Sequence, residues 1–236
     1  MSATPRVRAA LIGHGKMGRA IEALAAEHGV DVVAVLGRGD AIDRATLADA
    51  DVAIEFTEPD AAIANLRTCG AVGCPVVVGT TGWGGPDDEL RAELLAAGAR
   101  ALTAANFSLG VNAILGAVGR LASALETAGF APHVLETHHA AKKDAPSGTA
   151  LALAAAAAVD GVAPAITSVR VGSVPGTHTL LFDAAFEQVR LTHEARDRRV
   201  FASGALIAAR WLAAPRAPGF YTLQDVLAPE PSEESR

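Results

Sequence analysis

The stretch 136–150, ETHHAAKKDAPSGTA, gathers side chains that exchange protons near neutral pH. Two of the chain's three lysines, Lys142 and Lys143, lie in it, with His138 and His139 four residues upstream. Elsewhere positive charge comes almost entirely from arginine, which keeps its proton under protein conditions. A lysine or histidine with a shifted pKa can release one. Asp-Ala-Pro-Ser-Gly-Thr follows, then an apolar run over 150–159. Ser147 has the type and place of a helix N-cap, with Gly148 and Thr149 opening the helix. Such an end presents backbone N–H groups and the positive pole of the helix dipole, which suits an anion. Proton donors and a seat for a carboxylate thus share one short stretch. The plain alternative is a solvated basic loop before a capped helix, and it leaves the gathering of lysines unexplained.

These groups need a frame and a partner in the chemistry, and the N-terminal half supplies candidates for both. The apolar run 7–12 ends in Gly13-His14-Gly15-Lys16-Met17-Gly18, and helical spacing follows at Met17, Ile21, Leu24 and Ala25. A second apolar run occupies 30–36. GxGxxG between a strand and a helix is the dinucleotide fingerprint. Gly13 makes the turn, Gly15 lets the backbone approach a pyrophosphate, and Gly18 lets helix and strand pack closely. Lys16 and Arg19 are available to phosphates, although solvated charges on the helix face explain them equally well. The second strand of such units normally ends in an acid that accepts the ribose hydroxyls. Here it ends Leu36-Gly37-Arg38-Gly39, with no carboxylate before Asp40. An arginine there can pair with a 2′-phosphate, so Arg38 points to NADPH as the preferred cofactor, with NADH possible.

Alternation continues with strands predicted at 51–56, 75–78 and 100–104 and helices at 60–69 and 86–97. Alternating strands and helices give an α/β fold with a doubly wound parallel sheet, on which ligands bind outside the carboxyl ends of the strands. The strand-end segments Gly79-Thr80-Thr81 and Ala104-Ala105-Asn106-Phe107 are therefore candidates for the nicotinamide side, with Asn106 a candidate cap for a long helix over 110–128. From 132 the pattern changes. Strands are predicted at 132–136, 167–171, 178–182, 186–192 and 199–201, around a helix at 150–159. This pattern predicts a smaller α+β domain with an open mixed sheet, expected to carry the substrate site and, on its edges and broad face, the contacts of a homo-oligomer. A helix at 204–212 and a terminal element at 219–227 return to the first domain. The expected domains are thus 1–106 with 202–228, then 107–201, and a disordered Pro/Ser/Glu-rich tail at 229–236.

Composition sets limits. Half of the 236 residues are hydrophobic and 19% are charged, as a packed globular chain requires, and the net charge of −6 argues against nucleic acid or an anionic membrane as partner. No apolar stretch avoids Gly and polar residues for long enough to span a bilayer, and no signal segment of convincing length precedes the first strand. Cys69 and Cys74 have neither zinc spacing nor a disulfide framework, so buried free thiols in a reducing cytoplasm are expected. No metal-ligand spacing occurs along the chain. His14 is expected to face solvent, and His178 and His193 to serve the strand surface.

Taken together, GHGKMG, GTTG, NFSLGVN, HHAAKKDAPSGTA, VPGTH, FASGALIAARWL and YTLQDVL resemble the 4-hydroxy-tetrahydrodipicolinate reductase (dihydrodipicolinate reductase) family of lysine and diaminopimelate synthesis. The resemblance spans nearly the whole chain, and HHxxK followed by DAPSGT is its most specific part. It implies a nicotinamide-dependent reductase acting on a cyclic imine with two carboxylates, assembled as a homo-oligomer, by resemblance a tetramer. It further implies that His138 is the catalytic acid and Lys142 the proton-donating lysine. His139, Gly148 and Thr149 correspond to substrate contacts. Gly13–Gly18, Gly79–Thr81 and Ala104–Phe107 correspond to cofactor contacts. Two departures stand out: Gly37 occupies the place of the ribose-binding acid, and the second domain is shorter around 163–171. Two other readings keep the same cofactor fold. One is an amino- or imino-acid dehydrogenase of the aspartate dehydrogenase kind, against which DAPSGT after HHxxK tells. The other is an NADPH sensor without turnover, which would have no need of proton donors.

Overall fold

The computed structural model describes residues 6–229; the predicted tail at 229–236 lies outside them except for its first residue. The chain divides into two compact units, one running up to Phe107 and resuming at Phe201, the other Ser108–Val200.

In the first unit the apolar runs become strands at the predicted places. They are β1 (Val7–Ile12), β2 (Val30–Leu36), β3 (Val52–Glu55), β4 (Val76–Val78) and β5 (Arg100–Thr103). The sheet order is β10-β5-β4-β3-β1-β2, where β10 (Gly219–Tyr221) is the C-terminal addition at the edge. Every pairing is parallel. β3 and β4 are buried along their whole length, which explains why Val52–Ile54 and Val76–Val78 are apolar without alternation; Glu55, also buried, ends β3. Helices α1 (Lys16–Ala25), α2 (Pro59–Val72) and α3 (Asp88–Ala96) connect them, and Leu66, Cys69, Leu90 and Leu94 join Ile12, Val76 and Val78 in one core. Cys69 and Cys74 are free and buried; burial pushes the Cys74 thiol up to about 11 and Cys69 higher still. α7 (Leu223–Leu227) follows β10, held by a capping box between Thr222 and Asp225.

The second unit begins with α4 (Leu109–Thr127). Its cap is Ser108, whose hydroxyl accepts the Val111 N–H, so Asn106 is not the cap that the sequence offered. α4 has the length and mean hydropathy, 1.2, of a spanning helix. It nevertheless carries Asn112, Arg120 and Glu126 and packs Val118 and Ala122 into this unit's core. β6 (Ala131–His138), β7 (Ala165–Arg170), β8 (Thr177–Asp183) and β9 (Gln188–Glu194) form a mixed sheet in the order β7-β6-β8-β9. α4 and α5 (Gly148–Ala156) cover one face around Val134, Leu180 and Phe182. On the other face Leu135 and Val169 remain 40% and 38% exposed.

Residues 199–201, predicted as a strand, are instead the first turn of α6 (Arg199–Ala213). Asp197 decides this, taking the Arg199 N–H on its carboxylate at 2.7 Å, while the Val200 N–H reaches the Asp197 carbonyl at 3.2 Å. Ala202, Ala205, Leu206, Ala209 and Leu212 then bury one helical stripe.

Candidate active site

In the first unit the carboxyl ends of β1, β2 and β3 enclose a cleft of about 560 Å³ lined by Gly13, Gly15, Arg38, Asp40 and Thr57. The glycines divide their work sharply. A Cβ on Gly13, whose φ is +96°, would lie 2.1 Å from the Phe56 carbonyl oxygen, and one on Gly18 would lie 2.1 Å from that of Gly13. A Cβ on Gly15 would meet nothing within 4 Å. Gly13 and Gly18 therefore close the turn against its neighbours, and Gly15 keeps the approach to the helix open. α1 starts there with no side-chain cap and no acidic residue in its first turn, so its leading N–H groups and dipole suit a pyrophosphate. These residues fit a dinucleotide.

The other predicted cofactor residues are distributed unevenly. His14 pairs with Glu22 at 2.7 Å in an exposed contact, and Lys16 is exposed. Arg19 donates to the His14 carbonyl at 3.0 Å, bracing the loop. Thr80 is buried, its hydroxyl accepting the Thr57 N–H at 2.7 Å, while Thr81 is exposed. Phe107 is buried, its ring 5.5 Å from that of Phe56. Thr80 and Phe107 thus shape this rim from inside the unit. Arg38 is exposed and meets Glu58 at 2.5 Å. The sequence hid one further relation: Asp40 folds back so that its carboxylate accepts the Gly37 N–H at 2.7 Å. A carboxylate therefore stands beside Gly37, beyond the end of β2, despite the glycine.

In the second unit β6 extends two residues past its predicted end, so His138 is its final residue rather than part of a loop. Strand periodicity puts Glu136 and His138 on the same buried face. Register then brings Ser168 of β7 and His178 of β8 alongside Glu136, Arg170 alongside His138, and His193 of β9 alongside His178. Glu136 is fully buried. Its Oε1 accepts the Ser147 N–H at 3.0 Å, the Ser168 hydroxyl at 2.7 Å and Arg170 Nη2 at 2.8 Å. Burial alone would raise this carboxyl, but the bonds from Ser147, Ser168 and Arg170 outweigh it and hold the group at about 2. Its Oε2 lies 2.9 Å from His138 Nδ1 and 3.8 Å from His178 Nε2.

Burial lowers the pKa of His138, with Glu136 pulling the other way and Lys142 and Arg170 adding to the fall. The His178 ring stands edge-on to that of His138 with centroids 5.0 Å apart. Burial and the neighbouring His138 bring His178 down to about 4. Lys142 Nζ lies 2.8 Å from each oxygen of Asp144, and Lys143 is exposed. Ser147 caps α5, its hydroxyl accepting the Ala150 N–H at 3.2 Å. Gly148 is exposed beside it, and His139 and Thr149 are half-buried. His138, Lys142 and the Ser147 turn are thus brought into one unit. Glu136, Ser168 and Arg170 were missed as functional candidates. The sole sequence signal was Glu136 two residues before His138, the spacing of one strand face. Glu136, His138 and His178 also place one ligand atom each within 4.8 Å of the others. Chain spacing conceals that group because His178 arrives from another strand, and Arg170 supplies its carboxylate with a counter-charge.

Known proteins resemble this chain throughout. The N-terminal family of dihydrodipicolinate reductase matches residues 7–107 and its C-terminal family residues 110–227. A 4-hydroxy-tetrahydrodipicolinate reductase of Thiobacillus denitrificans (strain ATCC 25259 / T1) is 38% identical over 94% of this chain and 98% of its own. One of Stenotrophomonas maltophilia (strain R551-3) is 41% identical over 90% of this chain and 94% of its own. Among solved structures, the dipicolinate-bound dihydrodipicolinate reductase of Paenisporosarcina sp. TG-14 has the same fold. Its TM-score is 0.73 at 23% identity, over 92% of this chain and 97% of that one. The chain belongs to the dihydrodipicolinate reductase family.

Proposed function

We propose that this chain reduces 4-hydroxy-tetrahydrodipicolinate, a cyclic imine with two carboxylates, to tetrahydrodipicolinate in lysine and diaminopimelate synthesis. The cofactor is a nicotinamide dinucleotide, held by Gly13–Gly18 and the strand-end segments 79–81 and 104–107; when bound it supplies the hydride. One observation carries the reading. His138 at the end of β6, Lys142 four residues on and the Ser147-capped start of α5 lie together in the segment that matches the family's C-terminal part.

Hydride arriving at a conjugated carbon leaves negative charge on the unsaturated imine, and a proton must meet it. His138 and Lys142 are the groups that give that proton in this reading, a contribution typically worth about 10²–10⁴ in rate. His139 and the turn Ser147-Gly148-Thr149 hold a carboxylate at the positive end of α5 and orient the ring. Orientation of this kind contributes up to roughly 7–11 kcal/mol where it is well aligned.

Arg38 supports NADPH as the preferred form, because its exposed guanidinium can exchange Glu58 for a 2′-phosphate. Asp40, bound to the Gly37 N–H, supports some use of NADH through the ribose hydroxyls. The unit that runs up to Phe107 and resumes at Phe201 serves as the cofactor domain, and Ser108–Val200 as the substrate and oligomerisation domain. The half-exposed Leu135 and Val169 on the uncovered sheet face support a homo-oligomer, a tetramer by family resemblance. The buried free cysteines support a reducing cytoplasm. The test follows NADPH absorbance with freshly made cyclic imine, repeated with NADH. Absorbance must fall with the imine and not with oxaloacetate plus ammonia; the reverse outcome rejects the assignment.

A further inference from the structure

The two oxygens of Glu136 have different partners. Oε1 takes every donor that neutralises a buried carboxylate here: the Arg170 guanidinium, the Ser168 hydroxyl and the Ser147 N–H. Oε2 meets only imidazoles, His138 Nδ1 at 2.9 Å and His178 Nε2 at 3.8 Å. Oε2 and His138 Nδ1 are both buried, and among the described residues neither has a well-aligned hydrogen-bond partner. A carboxylate serving only as Arg170's counter-ion would not need its second oxygen aimed at a ring nitrogen. A carboxylate oxygen can only accept, so the nitrogen facing it must carry the hydrogen. That leaves Nε2 of His138 as the nitrogen that takes up a proton when the ring is neutral and delivers it when the ring is imidazolium. Nε2 lies on the side of Gly176, where an added Cβ would come within 3.1 Å of it.

We propose that Glu136 is a positioning residue of the reductase site: it fixes His138 with hydrogen on Nδ1 and Nε2 turned to the substrate, and through Ser147 it ties that ring to the start of α5. The inference rests on the proposed role of His138. One buried carboxylate thereby holds proton donor and carboxylate seat in common register, since Ser147 is both its donor and the cap of α5. The groups facing the His138 ring are Glu136 on its own strand, His178 on β8, Arg170 on β7, and Lys142 and Asp144 on the following loop.

Glu136→Gln makes the test sharp. Its amide oxygen can keep the three Oε1 bonds, while its NH₂ would face Nδ1 and donate to it, forcing the hydrogen to Nε2. Ring ¹⁵N spectra of the unmodified protein, with His138→Asn assigning the signals, should show His138 protonated at Nδ1 when neutral. In Glu136→Gln they should show the other tautomer and a lower titration midpoint. Steady-state kcat should fall on the order of 10²-fold or more, as wrong-tautomer variants of other enzymes do, with KM for the cyclic imine within about fivefold. Thr137→Val, between Glu136 and His138 on the opposite face of β6, should keep both tautomer and kcat, the latter within about threefold. Nε2 protonation in the unmodified protein overturns the inference even if Glu136→Gln fails to fold, and so does an unaltered tautomer in Glu136→Gln. Absence of turnover in the unmodified enzyme would instead remove the reductase reading, with the spectra still deciding the Glu136 contact.

Discussion

His178 Nε2 stands 3.1 Å from the hydroxyl oxygen of Ser147, the residue that caps α5. His193, directly across on β9, stands in the same relation to Ser108, the cap of α4, at 3.0 Å. Buried imidazoles of this kind make the fold sensitive to acid. His178 titrates near 6.5 when unfolded and about 4 when folded, held down by burial and then by His138. Its stabilising contribution is therefore complete above pH 6.5 and lost as pH falls from 6.5 to 4, because the unfolded chain binds the extra proton. Linkage sets the slope at about 1.4 kcal/mol per pH unit in that window. Unfolding midpoints measured from pH 7.5 to 4 should fall accordingly. His178→Gln should start lower at neutral pH and fall less steeply; parallel curves for the two proteins would refute this account.

The same row of residues shows what the sequence could and could not disclose. β1 and β2 were legible to the residue because each is apolar apart from one charged residue near its start, Arg8 or Asp31, and a glycine follows each, Gly13 or Gly37. Ser147 was legible as a cap, since a serine before Gly-Thr and an apolar helix has little else to do. Residues 199–201 misled because Val200 and Phe201 have strand-forming side chains, and the deciding partner, Asp197, acts through the backbone. The Ser168–Glu136–His178–His193 row exists only through strand register. No spacing along one chain can announce it, so the buried charge at its centre passed for an ordinary strand residue.

Gly15 and Gly18 should respond to alanine in opposite ways. Gly15 has φ −75° and open space around a prospective Cβ. Gly15→Ala should leave the unfolding midpoint within about 2 °C while weakening NADPH binding by about tenfold, or about 1.4 kcal/mol. Gly18→Ala drives a methyl group to 2.1 Å from the Gly13 carbonyl oxygen, and the helix must shift off the strand. It should lose about 1–3 kcal/mol of stability by denaturant titration. Similar stability losses in both variants would contradict the division of labour.

Arg38 and Asp40 offer a two-sided test of cofactor choice. Losing a charge-assisted contact costs about 1.5–3 kcal/mol, so Arg38→Ala should raise KM for NADPH by roughly 10- to 100-fold and leave that for NADH within about twofold. Asp40→Asn should do the reverse more weakly, raising KM for NADH alone. Equal effects on both cofactors in either variant would show that its side chain does not read the 2′ position.

Lys142 is held by both oxygens of Asp144, and that bond keeps the Asp144 carboxyl below its usual range. If Lys142 serves by giving up a proton, charge alone will not replace it. Lys142→Arg preserves the cation and the pairing with Asp144, but a guanidinium does not deprotonate in proteins. Its kcat should fall about 10²-fold or more, within the range for a lost proton donor, with KM changed by less than about threefold. Asp144→Asn should act in the other direction. It frees Lys142 from an exposed pair worth about 0–1 kcal/mol, so KM for the dicarboxylate should drop by at most about fivefold and the unfolding midpoint should barely move. Full kcat in Lys142→Arg would assign Lys142 an electrostatic role and leave His138 as the proton donor. A raised KM in Asp144→Asn would show that the aspartate holds the lysine in its working position rather than competing for it.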